Sequence, residues 1–274
     1  MSSDSRTAHI KRWLTGIVAV PVLVLLLTAG PRWLFYALVC AVSIIGTAEY
    51  YTITAADDSR FVRWPVYFLL TLLFFSHFIH QIHITPAIIA IICFLPLAYY
   101  MFVSPDGDKG GTQAVGKIVT GPVYAALPLS LLLLIDLMPK GNLWILFLLV
   151  VVFTTDTGAF YFGRSFGKRK LYPAVSPGKT WAGAIGGTLS SILAGLVFLH
   201  LFSIGRRDWT LVVLILLLSV SAQIGDLAES MIKRNHGFKD SGSILPGHGG
   251  ILDRIDGLLF SIPILYLYLI IFLL

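Results

Sequence analysis

The side chains able to do chemistry are concentrated in Ser221–Gly257, where Asp226, Glu229, Lys233, Arg234, Lys239, Asp240, Asp253, Arg254 and Asp256 interrupt an otherwise apolar sequence. Read as a helix, Asp226, Ser230 and Lys233 stand at i, i+4 and i+7 and share one face, with Glu229 close by. A carboxylate at membrane depth is costly unless it is paired or coordinates a cation. Asp226 therefore either pairs with Lys233 to hold helices together or belongs to a site. Asp253 and Asp256, at i and i+3, share a face where the last helix begins. Two acids in a first turn suit the helix dipole. Together with Asp226 they also supply three oxygen ligands for a hard divalent cation such as Mg²⁺, which is commonly held by one or two carboxylates plus substrate phosphates.

Between these acids lie Lys239-Asp240-Ser241-Gly242 and Leu245-Pro246-Gly247-His248-Gly249-Gly250. Glycines let backbone N–H groups approach an anion closely. A second glycine-rich basic run, Asp156 to Trp181, ends in Ser176-Pro177-Gly178-Lys179-Thr180-Trp181. It is not a P-loop, because Pro173 stands where that motif requires glycine and no strand-containing soluble domain surrounds it. It offers Lys179, Thr180 and backbone N–H groups to phosphate oxygens.

The elements that must position these groups are membrane helices. The chain of 274 residues is 57% hydrophobic and only 12% charged, with a mean hydropathy of +0.84, and its apolar runs are long enough to cross a hydrocarbon core of roughly 30 Å. About nine spans are expected, at residues 13–30, 33–54, 65–78, 85–103, 118–138, 143–162, 182–202, from 209 past 223, and 253–274. The fold class is all-α, a single polytopic membrane domain over 1–274 with residues 163–181 and 221–257 as its catalytic segments. Residues 104–117 read as a flexible loop. Pro122 and Pro128 are tolerated within a span where neighbouring helices satisfy the freed carbonyls, and Gly183, Gly186, Gly187 and Gly195 mark close helix packing. Cys40 and Cys93 read as isolated core residues, His77, His80 and His83 as an incomplete coordination set, and Glu49 as a packing or interfacial carboxylate.

Placing the N-terminus (1–12) in the cytoplasm puts sixteen of the 20 Lys and Arg residues on that side and leaves only Arg32, Lys140, Arg206 and Arg207 opposite. This is a strong positive-inside bias. Both basic loops then face the cytoplasm, where a soluble anion reaches them.

The run Ser230 to Arg234, Lys239 to Gly242, Pro246 to Gly250 and Asp253 to Asp256 resembles the signature of the phosphatidate cytidylyltransferases (CDP-diacylglycerol synthases), and Asp156–Trp181 resembles that family's second motif. One position departs: Ala182 stands where the family often has glutamate. The resemblance implies transfer of CMP from CTP to phosphatidic acid, giving CDP-diacylglycerol and pyrophosphate, with Mg²⁺ and no nucleic acid, in the bacterial inner membrane. Asp226, Asp253 and Asp256 would be the metal ligands and, with Lys233, the catalytic set. Lys179, Thr180, Ser230, Arg234, Lys239, Asp240, His248, Gly249, Gly250 and Arg254 would contact substrate. His248 would position rather than abstract a proton, since a phosphate nucleophile is already ionised near neutral pH. The resemblance also allows a second cation and a homodimer. Two other classes compete. A CTP-dependent enzyme acting on an isoprenoid or ether lipid would differ in its acceptor pocket. A transporter would suit the intramembrane acids Asp156 and Asp226 but leaves the glycine-rich basic loops unexplained.

Overall fold

A computed structural model describes residues 21–55, 60–103, 110–205, 208–242, 244 and 249–273. Among the described residues, eight helices are long and apolar enough to cross a membrane. Residues 21–28 are helical; the rest of the expected first span lies mostly outside the described residues. The helices are α1 (Arg32–Ile53), α2 (Arg60–Phe78), α3 (Thr85–Val103), α4 (Gly110–Gly121), α5 (Leu127–Asp136), α6 (Gly141–Phe166), α7 (Trp181–Phe202), α8 (Trp209–Asn235) and α9 (Leu252–Leu273). A π turn, Pro122–Ala126, joins α4 to α5 in one continuous span. The start of this span corrects the sequence expectation, since residues 110–117 are helical rather than loop. Two glycines at the start hide the helix from a composition-based reading.

The residues group into two compact units. One comprises the chain up to Leu133 together with Asp240–Leu252; the other comprises Leu134–Lys239 and Asp253 onward. In the first unit, Pro122 has no N–H to give the carbonyl of Ile118 four residues earlier. Tyr51 Oη donates to that carbonyl at 2.8 Å, so a neighbouring helix satisfies the freed acceptor. His77 is fully buried, with Nδ1 2.8 Å from the Leu73 carbonyl and Nε2 3.4 Å from Thr85 Oγ1.

In the second unit, α6 and α7 pack backbone to backbone. A side chain at Gly187 would run into the Thr155 carbonyl, one at Gly183 into the Ala159 carbonyl, and one at Gly158 into Ser190. Without a hydrophobic force between helices in lipid, such small-residue contacts and interhelical hydrogen bonds hold the bundle. The bonds form a ladder across three helices. Thr155 Oγ1 on α6 donates to Ser219 Oγ on α8 at 3.0 Å, Ser219 donates to Thr188 Oγ1 on α7 at 3.1 Å, and Gln223 Nε2 on α8 reaches the same Thr188 oxygen at 3.1 Å. Helices α8 and α9 run antiparallel: Ser221 meets Ser261 at 3.0 Å and Gly225 abuts the Asp256 backbone. The expected loop between α6 and α7 is an antiparallel hairpin, β1 (Lys170–Tyr172) paired with β2 (Ser176–Thr180), Lys170 opposite Thr180 and Tyr172 opposite Ser176.

Candidate functional site

The hairpin delivers Lys179 and Thr180 to the mouth of a cavity of about 480 Å³ in the second unit, walled by Asp156, Gly163 and Arg164 of α6, Gly178–Thr180, Gly183 of α7, and Gln223 and Asp226 of α8. Each wall has a local cause. Thr180 is the N-cap of α7: its backbone is extended and its Oγ1 accepts the Gly183 N–H at 3.1 Å, satisfying one of the donors a helix start leaves orphaned. Gly183 has no side chain because α6 passes there. The Thr155–Ser219–Thr188–Gln223 ladder fixes the register of the three helices, and therefore the height at which Asp156 and Asp226 enter the cavity.

Lys179 Nζ lies 2.5 Å from Asp226 Oδ2, and both side chains are partly exposed. Asp256, brought against α8 by the missing side chain at Gly225, is within electrostatic reach of Asp226, Asp156 and Lys179. Asp156 in turn senses Asp226, Lys179 and Arg254. One ammonium therefore stands among three carboxylates, a place where positive charge is wanted. Ser230 Oγ donates to Asp226 Oδ1 at a long 3.5 Å, orienting the carboxylate more than it contacts anything beyond.

Lys233 does something other than the sequence spacing implies. It is buried at 8% exposure, with Nζ 2.5 Å from Asp253 Oδ1 and 2.9 Å from Glu229 Oε2. Neither an Asp226–Lys233 pair nor a direct phosphate contact follows. The physical reason is the antiparallel packing, which sets the start of α9 beside the end of α8, so the long side chain of Lys233 reaches Asp253 and leaves Asp226 to Lys179. The expected trio of Asp226, Asp253 and Asp256 is thus split by this ion pair. Among the described residues no three acidic, histidine or cysteine side chains are gathered to hold a metal ion unaided. What the cavity offers a hard cation is carboxylate oxygen from Asp156 and Asp226, with Asp256 within electrostatic reach, at the point where Lys179 places its charge. That donor set fits Mg²⁺ completed by substrate phosphates.

Of the other expected contacts, Arg234 is exposed, and its Nη1 donates to the Phe238 carbonyl at 3.2 Å. Lys239 and Arg254 are exposed. Asp240, Gly249 and Gly250 belong to the first unit. Asp240 is exposed, Gly249 takes a left-handed φ of +80°, and Gly250 is buried. His248 lies outside the described residues. Sequence reasoning assigned no role to Asp156 as a cavity wall or to Glu229 as a lysine partner. The available signal for Asp156 was a lone acid within an apolar run, which by default marks function.

A family model for the cytidylyltransferase family matches residues 10–272. The chain belongs to the cytidylyltransferase family. Its relatives include a phosphatidate cytidylyltransferase of Brucella suis, 48% identical over 158 residues, or 58% of this chain and 57% of the relative. A phosphatidate cytidylyltransferase of Staphylococcus epidermidis is 50% identical over 131 residues, covering 48% of this chain and 50% of the relative. The chain thus spans about half the length of the curated relatives it matches. This membrane-spanning member of the family places carboxylates and a lysine in one cavity beside the β1–β2 hairpin.

Proposed function

We propose that the chain is a phosphatidate cytidylyltransferase, transferring CMP from CTP to phosphatidic acid with release of pyrophosphate. The single observation that carries the reading is the Lys179–Asp226 contact in a cavity also walled by Asp156 and Arg164. Cationic and anionic groups, exposed side by side, suit a substrate that brings both phosphate oxygens and a divalent cation. Family membership and similarity to phosphatidate cytidylyltransferases support the same reading.

In this reaction a phosphate oxygen of the lipid attacks the α-phosphorus of CTP; the new P–O bond forms as the bond to the β-phosphate oxygen breaks, and pyrophosphate leaves. The nucleophile is already ionised, so the protein supplies position and charge rather than a base. Lys179, released from Asp226 when phosphate arrives, is the mobile cation of the site, and Arg164 is the second. Backbone N–H groups around Gly178 add neutral donors. Lys233 holds Glu229 and Asp253 together and thereby fixes the start of α9, which presents Asp256. Asp226 and Asp256 would hold Mg²⁺, which when bound neutralises phosphate charge and stabilises the departing pyrophosphate.

The distribution of basic residues supports a cytoplasmic N-terminus and a cytoplasmic site in a bacterial plasma membrane. The deciding experiment supplies purified protein with CTP, Mg²⁺ and either phosphatidic acid, an isoprenyl phosphate or an ether-linked phosphatidate. Formation of CDP-diacylglycerol from phosphatidic acid in preference to the others is expected. Turnover confined to another lipid phosphate would replace the acceptor, and no turnover of CTP with any of them would remove the reading.

A further inference from the structure

The wall of the cavity in the second unit is not uniformly charged. Asp156, Arg164, Lys179 and Asp226 carry its ionic groups, while Phe160 and Gln223 bring an exposed ring and a neutral amide. Gln223 stands on α8 three residues before Asp226, one turn nearer the middle of the span and on the same face. Its Nε2 is held by α7 and by its own helix, at 3.1 Å from Thr188 Oγ1, 3.3 Å from the Ala184 carbonyl and 3.5 Å from Ser219 Oγ. A carbonyl oxygen can only accept, so the Ala184 contact fixes which end of the amide is which. Turned over, the amide would set two acceptors against each other. Its N–H groups are therefore spent on helix contacts. Oε1, with two lone pairs to offer, accepts no hydrogen bond among the described residues.

A nucleotide brings more than phosphate. Cytosine presents an N4 amino donor where uracil or thymine presents an O4 acceptor, and any base has a face that stacks on an aromatic ring. The charged groups of the cavity answer phosphate and cation; a fixed acceptor beside an exposed ring answers a base. We infer that Gln223 is a specificity-determining residue: its Oε1 accepts a hydrogen bond from the cytosine N4 amine, with the base against Phe160. This rests on the phosphatidate cytidylyltransferase reading. A freely turning glutamine would offer its N–H groups to uracil O4 and take either base. Anchored by Ala184 and Thr188, the amide has one orientation, which admits cytosine and sets acceptor against acceptor for uracil. The ladder that fixes the register of three helices thus also fixes the choice of base.

The test gives the full purified chain phosphatidic acid, Mg²⁺ and one of three triphosphates: CTP, UTP, or 2-pyrimidinone riboside triphosphate, which has hydrogen in place of the N4 amine. Wild type should prefer CTP to the pyrimidinone by about 10- to 100-fold in kcat/KM, the effect of leaving one acceptor unsatisfied, and should reject UTP more strongly still. In Gln223→Met that preference should shrink to within about threefold through a higher KM for CTP, while inhibition by pyrophosphate, which has no base, moves by less than about twofold. Thr188→Val keeps Gln223 but removes an anchor; it should lose part of the preference, and it decides the matter where Gln223→Met does not fold. A wild-type preference retained in the variant, or a loss of rate shared equally by all three triphosphates, overturns the inference and leaves Gln223 a packing residue of the ladder. Wild type that uses CTP and the pyrimidinone equally also overturns it, while the functional reading stands. Wild type that transfers no cytidylyl group to phosphatidic acid removes the functional reading instead. Equilibrium dialysis with the same triphosphates then decides Gln223 separately: tighter binding of CTP that Gln223→Met abolishes upholds the role, and equal binding overturns it.

Discussion

Replacing Lys179 by Met separates a charge that serves catalysis from one that serves the fold. The Lys179–Asp226 contact is short, at 2.5 Å, but the two side chains are 24% and 38% exposed. A pair open to solvent to that degree contributes about 0–1 kcal/mol to stability, so Lys179→Met should unfold within a degree or two of wild type, by the usual conversion of stability to melting temperature for a chain of this size. The effect on turnover is set by a different quantity. If Lys179 moves to the phosphates as charge develops, its loss resembles deletion of one preorganised donor, about 10²–10³ in kcat, or roughly 3–4 kcal/mol. Lys179→Arg, which keeps the charge but spreads it over a wider fork, should retain a measurable fraction. The assay is formation of CDP-diacylglycerol from CTP and phosphatidic acid at saturating Mg²⁺, beside a thermal melt of the same preparations. A Lys179→Met protein with kcat within about fivefold of wild type would refute the reasoning. So would one that loses activity only in step with a collapse in stability, since the pair would then be structural.

Lys233→Met should act in the opposite way, lowering stability by about 3–5 kcal/mol because it leaves the buried carboxylates of Glu229 and Asp253 without their common cation; chemical denaturation measures this directly. Asp226→Asn and Asp256→Asn should each abolish most activity with an intact fold and raise the Mg²⁺ concentration needed for half-maximal rate, whereas Asp253→Asn, being paired to Lys233, should move that midpoint little. Chelation with EDTA should stop turnover and added Mg²⁺ restore it, without any change in the melt. Thr180→Ala should cost about 1 kcal/mol of stability through loss of the helix cap, recovered by Thr180→Ser, with activity falling less than for Lys179→Met.

Much of the fold is legible in the chain because hydropathy is a local property. The run Thr85–Val103 stands at its observed ends and Trp209 at the observed start of α8, since each span must be apolar over a bilayer's width whatever surrounds it. The glycines of α7 announce close packing for the same reason. Where the structure differs, the cause is non-local or is masked by composition. Residues 110–117 carry two leading glycines and still form a helix, and the basic run after α6 pairs with itself as a hairpin because Lys170 and Thr180 come into register around a turn. The candidate site divides in the same way. Asp226, Lys179 and Asp256 stand out as charges among hydrocarbon. The partner each one takes does not, because it depends on how far α9 slides along α8.

By itself, the sequence determined that this is a polytopic membrane protein, that two glycine-containing segments gather charge next to apolar spans, and that those segments carry the family signature. Length, hydropathy and motif order need no partner to be read. Only the tertiary structure decided that Lys179 belongs to Asp226, that Lys233 belongs to Glu229 and Asp253, that Thr180 caps a helix and that Glu49 gathers a distant loop. The Lys179–Asp226, Lys233–Asp253 and Glu49 contacts join residues tens to hundreds of positions apart, and their identity is fixed by helix register and close backbone approach, which no local stretch of residues records.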